Sequence, residues 1–237
     1  MSFDERTIAL IGKEKNNQLK QKNVIIFGIG GVGGYVAEML ARSGIENLTL
    51  VDFDTVSESN INRQIIATNQ SVGKLKVDCF KKRIFDINPN CQVDVKPEKL
   101  TDENISKFEL SKFDFVVDCI DMVSSKIALI KYCYDNNIKI ISSMGAGNRY
   151  QIPKFEICDI NKTENDGLAK VIRAKLRQLG VKKSIVCYTK QDAKKQKVIG
   201  SIAYFPASCG ITISAYVINC LMGENWHETW TFKWKRF

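Results

Sequence analysis

Histidine is nearly missing from this chain. The one imidazole in 237 residues is His227, so neither a Ser-His-Asp triad nor a multi-histidine metal site can be assembled without it. With no partner residue in view, His227 reads as an ordinary surface residue. Paired cysteines are missing too. The eight cysteines, at 79, 91, 119, 133, 158, 187, 209 and 220, include no Cys-x-x-Cys, which argues against a structural zinc knuckle or a redox dithiol and leaves buried thiols as the expectation. No apolar run approaches the ~20 residues of a spanning helix, and Met1 to Arg6 hold no apolar signal core. These two absences give the expectation of no membrane and a cytoplasmic location. Internal repeats and low-complexity segments are absent as well.

Basic charge is abundant. Thirty-five Lys and Arg stand against 26 Asp and Glu, a net charge of +9, with clusters at Lys170–Lys183 and Lys190–Lys197. Such a surface attracts polyanions, although charge alone speaks of association and a lysine-rich solvated face accounts for it equally well. The length fits one domain. The expected division is a single unit over 1–237, with a core over about 20–150 and 200–237 and a basic insertion over about 151–199.

The chain is organised around Asn23 to Gln64. The apolar run Val24-Ile25-Ile26-Phe27 fits a strand covered on both faces. It ends in Gly28-Ile29-Gly30-Gly31-Val32-Gly33, a G-x-G-x-x-G turn that brings phosphate to bare backbone at a helix N-terminus. A helix through Val32, Val36, Met39 and Leu40 and a strand Leu48–Val51 follow, delivering Asp52 where a carboxylate can hold a ribose hydroxyl. A nicotinamide dehydrogenase, a flavoprotein and an adenylating enzyme all begin this way, and the glycines do not choose among them.

Further on, the pattern predicts a short helix before Gly12, a helix through Val77, Phe80, Ile84 and Ile87, and a strand Cys91–Val95. Next come a short helix capped by Thr101, a strand Phe113–Val117 ending in Asp118-Cys119-Ile120-Asp121, a helix over about 123–136 and a strand Ile138–Ser142. Strands alternating with helices predict an α/β, Rossmann-like, mostly parallel sheet with flanking helices. The glycine turn, Asp52, Asp118 and Asp121 are then expected around one pocket beyond the strand ends. The edge insertion reads as a strand Phe155–Ile160, a basic amphipathic helix Leu168–Leu179 and a strand Ser184–Tyr188. The loop Lys190–Lys197, a buried helix Pro206–Leu221 and a strand-like tail Trp226–Phe237 complete the chain.

Five motifs in order, Gly28-x-Gly30-x-x-Gly33, Asp52-Phe53-Asp54, Ser59-Asn60-Ile61-Asn62-Arg63-Gln64, Gly73-x-x-Lys76 and Asp118-Cys119-Ile120-Asp121, resemble the ubiquitin-activating-like (ThiF-type) adenylating superfamily. That superfamily includes the molybdopterin- and thiamine-pathway activators, and the likeness covers at least residues 6 to 147. It implies ATP with Mg2+ as cofactors. Asp52 would hold the ribose; Asp54, Asn60, Arg63, Gln64 and Lys76 would line the nucleotide and its phosphates; Asp121 would bind the magnesium. Arg6 resembles the arginine that reaches into a partner's ATP site, which implies a homodimer. Arg6, Arg63, Lys76 and Asp121 are thus the implied catalytic set. The charge pattern agrees, because adenylating a carboxylate brings an anion against a polyphosphate and calls for cations and a metal. Arginine supplies a planar fork and lysine a point charge.

Taken singly, Arg63 and Lys76 could be solvated helix residues and Asp121 a helix cap. The missing Cys-x-x-Cys pairs depart from the zinc-bearing activators. The second half, through Gly145-Ala146-Gly147-Asn148, Asp159-Ile160-x-Lys162-Thr163 and Leu168-Ala169-Lys170-Val171-Ile172-Arg173, resembles the tRNA threonylcarbamoyladenosine dehydratase family. Gln151-Ile152 and Gly167 stand where that family tends to have Asp-Pro and Pro. This resemblance implies adenylation of the threonylcarbamoyl carboxylate on a tRNA adenosine and cyclisation with loss of water. Lys170, Arg173, Lys175 and Arg177 are then expected to meet tRNA phosphates. The alternatives are activation of a sulfur-carrier protein's C-terminus, a sulfur-transfer partner among them, and a nicotinamide-dependent oxidoreductase.

Overall fold

A computed structural model describes residues 3–224; His227 and the expected strand Trp226–Phe237 lie outside the described residues. Strands β1 (Asn23–Phe27), β2 (Asn47–Val51), β3 (Gln92–Lys96), β4 (Phe115–Asp118), β5 (Ile140–Ser143), β6 (Glu156–Asp159) and β7 (Ile185–Tyr188) form one sheet in the order β3-β2-β1-β4-β5-β7-β6. All neighbours are parallel except the edge strand β6, which runs antiparallel to β7.

The central strand shows why an unbroken apolar run was needed. Val24 and Ile26 face the core with α3 (Gly33–Arg42), α4 (Lys76–Ile87) and α7 (Tyr204–Leu221), while Ile25 and Phe27 face the opposite core with α5 (Val123–Asp135). A third apolar cluster joins α5 to α6 (Gly167–Gln178) and β7. By length and composition α7 could cross a membrane, yet Phe205, Cys209, Ile213 and Val217 along it are wholly buried in the core. It packs in the core against α3, β5 and β7.

One helix was unforeseen and two expectations need correction. After α1 (Glu5–Ile11), Gly12 at φ +84° starts a second helix, α2 (Lys13–Lys20). It is held by Asn16 Nδ2 and Lys20 Nζ, both on the Asp4 carboxylate at 2.9 and 2.8 Å, and not by an apolar stripe. Thr101 caps no helix. Its N–H donates to Asn104 Oδ1 at 2.8 Å, and two short 3-10 turns, Ile105–Phe108 and Leu110–Lys112, replace the expected helix. Asp118 is the third case. It closes β4 but is fully buried, with Oδ2 2.8 Å from the equally buried Lys126 Nζ and Oδ1 accepting from Ile120 N–H. It therefore braces the turn from within and does not line the pocket.

Candidate active site

The strand order reverses direction between β1 and β4, the place where an open α/β sheet gathers ligands beyond its carboxyl ends. Gly28 leaves β1 at φ +77°, and a Cβ there would stand 2.8 Å from Cys119 O on the neighbouring turn. At Gly33 an added Cβ would fall 1.9 Å from Gly28 O. These two glycines let the turn fold onto itself, whereas Gly30 faces open space with Gln64 alongside.

A cavity of about 710 Å³ opens there, within the ~300–1,000 Å³ typical of small-molecule sites. Gly28, Gly30, Asp52, Asp54, Asn60, Arg63, Gln64, Lys76 and Asp121 all line it. Gly33 sits behind the turn it permits, and Arg6, exposed on α1, is not among the lining residues.

Each side chain has a local reason for its place. Asp52 Oδ2 accepts from Ile29 N–H at 2.8 Å and Oδ1 from Asp54 N–H at 2.9 Å, so the carboxylate ties the end of β2 to the glycine turn. Burial pushes its carboxyl up, against the pull of Lys76 and of the Asp54 and Ile29 N–H groups. Lys76 opens α4 and is no solvated lysine. Its side chain is 6 % exposed, and Nζ lies 2.7 Å from Asp54 Oδ2. Asn60 belongs to a short 3-10 turn that Ser57 and Asn60 cap reciprocally. Arg63 Nη1 donates to Ser59 O at 2.7 Å and to Asn62 Oδ1 at 2.9 Å, which orients the guanidinium at the cavity wall. Asp121 is exposed, and the N-cap position of α5 is Met122, so capping does not explain it.

The walls fit a nucleotide and its metal. Gln64 Oε1 is a buried acceptor without a protein partner, and Gly30 beside it offers bare backbone to an anion. Asp121 is a single free-standing carboxylate, and magnesium on a nucleotide takes one or two carboxylates plus phosphate oxygens. Among the described residues no cluster of three or more His, Cys, Asp or Glu could hold a metal by itself.

The cavity continues past the nucleotide walls to Gly145–Arg149, Asp166–Leu168, Ala193, Ile199 and Ser201. Here sequence reasoning missed two residues. Asp166 caps α6, with Oδ1 accepting from Ala169 N–H at 2.8 Å and Oδ2 from Gly145 N–H at 3.1 Å. An acid immediately before an amphipathic run was the available signal. Arg149 is buried, donating from Nε to Gln191 O and from Nη1 to Gly145 O and Gly147 O, with Nη2 3.7 Å from Asp166 Oδ2. No local pattern announces it.

The thiols near the site are suppressed as nucleophiles. Cys119 lines the cavity, yet burial pushes its thiol well up. Cys187 and Cys209 face each other at 3.8 Å, both fully buried, and the hydrogen bond to Cys187 together with burial holds the Cys209 thiol well above its usual range.

With this geometry established, comparison with known proteins is informative. The ThiF family matches residues 4–235. Among characterised proteins, tRNA threonylcarbamoyladenosine dehydratase of Bacillus subtilis (strain 168) is 46 % identical over 175 residues, 74 % of this chain and 69 % of that protein. The Escherichia coli (strain K12) enzyme of that name is 37 % identical over 171 residues, 72 % of this chain and 64 % of its own length. The chain thus spans about two thirds of these relatives as matched. A molybdopterin-synthase adenylyltransferase of Haemophilus influenzae is 32 % identical over 168 residues, 71 % of this chain and 67 % of that protein. Crystal structures of the E. coli dehydratase in complex with AMP and with ATP superpose with a TM-score of 0.88 at 32 % identity, covering 92 % of this chain and 93 % of theirs.

Proposed function

We propose, from the premise that this chain belongs to the ThiF family, that it activates a carboxylate with ATP and that this carboxylate is the threonylcarbamoyl group of a tRNA adenosine. The observation that carries this reading is the single cavity shared by two sets of residues. Arg63, Lys76 and Asp121 stand beside the glycine turn, and a second chamber, walled by Gly145–Arg149 and Asp166–Leu168, adjoins them.

Magnesium ATP supplies an electrophilic α-phosphate and a pyrophosphate leaving group. Asp52, oriented by a backbone N–H on each of its oxygens, receives the ribose. Gln64 and Asn60 line the nucleotide, and Asp121 holds the metal. Lys76 and Arg63 neutralise the charge that accumulates as the substrate carboxylate meets the phosphates, a place where preorganised cations lower a barrier most. Lys76 is preorganised by Asp54, and Arg63 by Ser59 and Asn62. The activated carbonyl then closes onto the substrate's own nitrogen, releasing AMP; over both steps one water leaves the threonylcarbamoyl group. Burial of the Cys119 and Cys209 thiols disfavours the thiolate that a cysteinyl intermediate would require, and the scheme uses none.

Arg6 acts from a second copy. It shares one face of α1 with Leu10, four residues on, which is 86 % exposed. A homodimer covers that face and delivers the guanidinium to the partner's cavity. Arg6→Ala is expected to leave ATP binding near wild type while slowing adenylation, since a cation engaged chiefly in the transition state adds little ground-state affinity. Mixing Arg6→Ala with Lys76→Ala subunits restores turnover in heterodimers; sedimentation as a monomer counts against the arrangement.

The deciding experiment is nucleoside analysis of threonylcarbamoylated tRNA after incubation with enzyme, ATP and magnesium, under mild digestion. A cyclic nucleoside with AMP and pyrophosphate is expected. Acyl-adenylate formed instead on a small carrier protein overturns the assignment.

A further inference from the structure

The outer wall of the second chamber is a strap, residues 189–201, without regular secondary structure. It is tied at several points to the segment that leaves β5. Lys194 N–H donates to Asn148 O at 2.7 Å, while Asn148 N–H and Oδ1 bind Gly200 O and Gly200 N–H at 2.8 and 2.6 Å. Gln191 pins the other end, donating to Ile152 O and accepting from Lys154 N–H. Ala193 and Ile199 border the cavity at its rim, where Ile199 is 80 % exposed.

What the strap shows to solvent matches no soluble-protein default. Lys194, Lys195 and Lys197 are exposed, and among the described residues the strap's ion pairs involve Lys190 alone, with Glu156 at 3.7 Å and Glu164 at 4.0 Å. Between these cations stand apolar and aromatic groups: Tyr150 is 55 % exposed, Val198 77 % and Ile152 83 %. Lys194 Nζ lies 4.3 Å over the Tyr150 ring, which sits one residue beyond the cavity-lining Arg149. Free cations interleaved with an exposed ring, at the lip of a chamber, are the elements of a single-strand nucleic-acid platform: rings stack on bases and cations track the backbone.

We propose that this strap is the RNA-docking surface of the enzyme, with a nucleotide flanking the modified adenosine stacked on Tyr150 and adjacent phosphates on Lys194, Lys195 and Lys197. The proposal rests on the tRNA reading above and adds where the RNA lies. It places the bound strand on the strap and not along α6, whose Lys175 and Arg177 stand beyond the cavity lining.

The test measures tRNA binding across a salt series, together with ATP binding, for the wild type and for two variants of the full chain. Changing Lys194, Lys195 and Lys197 together to Gln is expected to lower the slope of log affinity against log salt by about 2, at ~0.7 per phosphate contact on a single strand. Tyr150→Ala is expected to weaken RNA binding about 5- to 150-fold, the value of a stacked base, while Tyr150→Phe stays near wild type. ATP affinity is unchanged throughout, which separates a docking defect from misfolding. If the wild type binds and cyclises tRNA but neither variant alters affinity or slope, the surface is misassigned while the function stands. A shift of the variants from dimer to monomer with RNA affinity intact gives the strap to a second copy and overturns the proposal. A wild type that binds no tRNA overturns the functional reading itself.

Discussion

In the nucleotide half of the cavity, the wall residues stand at strand ends or helix starts that a run of 49 positions, from Gly28 to Lys76, almost completes by itself: Gly28 after β1, Asp52 after β2, Lys76 at the first turn of α4. In the other half the wall is loop, turn and helix cap drawn from 145–149, 166–168 and 193–201, joined by hydrogen bonds that span as many as 52 residues. The first half is held by the sheet, so its chemistry depends on single side chains. The second is held by polar ties between irregular segments, so its shape depends on a few organising residues and its sequence is free to vary between substrates. This is the division expected when a common activation step is coupled to different acceptors.

That contrast is open to direct attack. In the nucleotide half, Lys76→Ala is expected to lower pyrophosphate exchange by about 10²–10³-fold, or ~2.7–4 kcal/mol of barrier, as for removal of one preorganised donor at a developing charge. Protein stability and tRNA affinity should change little, because Asp54, left without its lysine, is half-exposed to water. Loss of tRNA binding in this variant would mean that the two halves are not separable.

In the second half the expectation is reversed. Arg149→Met removes donors to three carbonyls and leaves Asp166 buried without its cation. The expected loss is about 3 kcal/mol of stability by urea unfolding, toward the lower bound for a broken buried pair because Asp166 keeps two N–H donors. ATP still binds the folded fraction, but cyclisation is lost. Unimpaired cyclisation would show that the second chamber needs no such brace.

The same division decided what was legible in the sequence. The strands and helices around Val24–Phe27, Val36–Leu40 and Val77–Ile84 follow from apolar periodicity, which reports directly on burial. Gly28, Asp52, Arg63 and Lys76 follow from short-range motifs because their supports are short-range. α2 was invisible since its anchors are Asn16, Leu19 and Lys20, with one apolar residue where periodicity needs several. Asp118 was placed in the pocket because its motif sits at a strand end; only the fold reveals Lys126 buried beneath it. Arg149 is satisfied by groups up to 42 residues away, a relation that spacing does not encode.

The smallest expected effect concerns Arg173, which sequence reasoning grouped with Lys170, Lys175 and Arg177 as a phosphate contact. In the structure it is half-buried on α6 and donates from Nη1 to Ile160 O, Thr163 O and Thr163 Oγ1, at 3.3, 3.0 and 2.5 Å. Its guanidinium thus closes the turn that follows β6. Hydrogen bonds from a charged donor contribute about 1.5–3 kcal/mol when well formed, and water recovers part of this at a half-exposed site, so Arg173→Ala is expected to cost about 1–2 kcal/mol in urea unfolding. A phosphate contact would instead lower the salt slope of tRNA binding by ~0.7–0.9 on removal. The structural role predicts an unchanged slope, with lower stability. If the slope falls while stability holds, α6 lies against the RNA and the strand runs farther from the strap than its exposed lysines indicate.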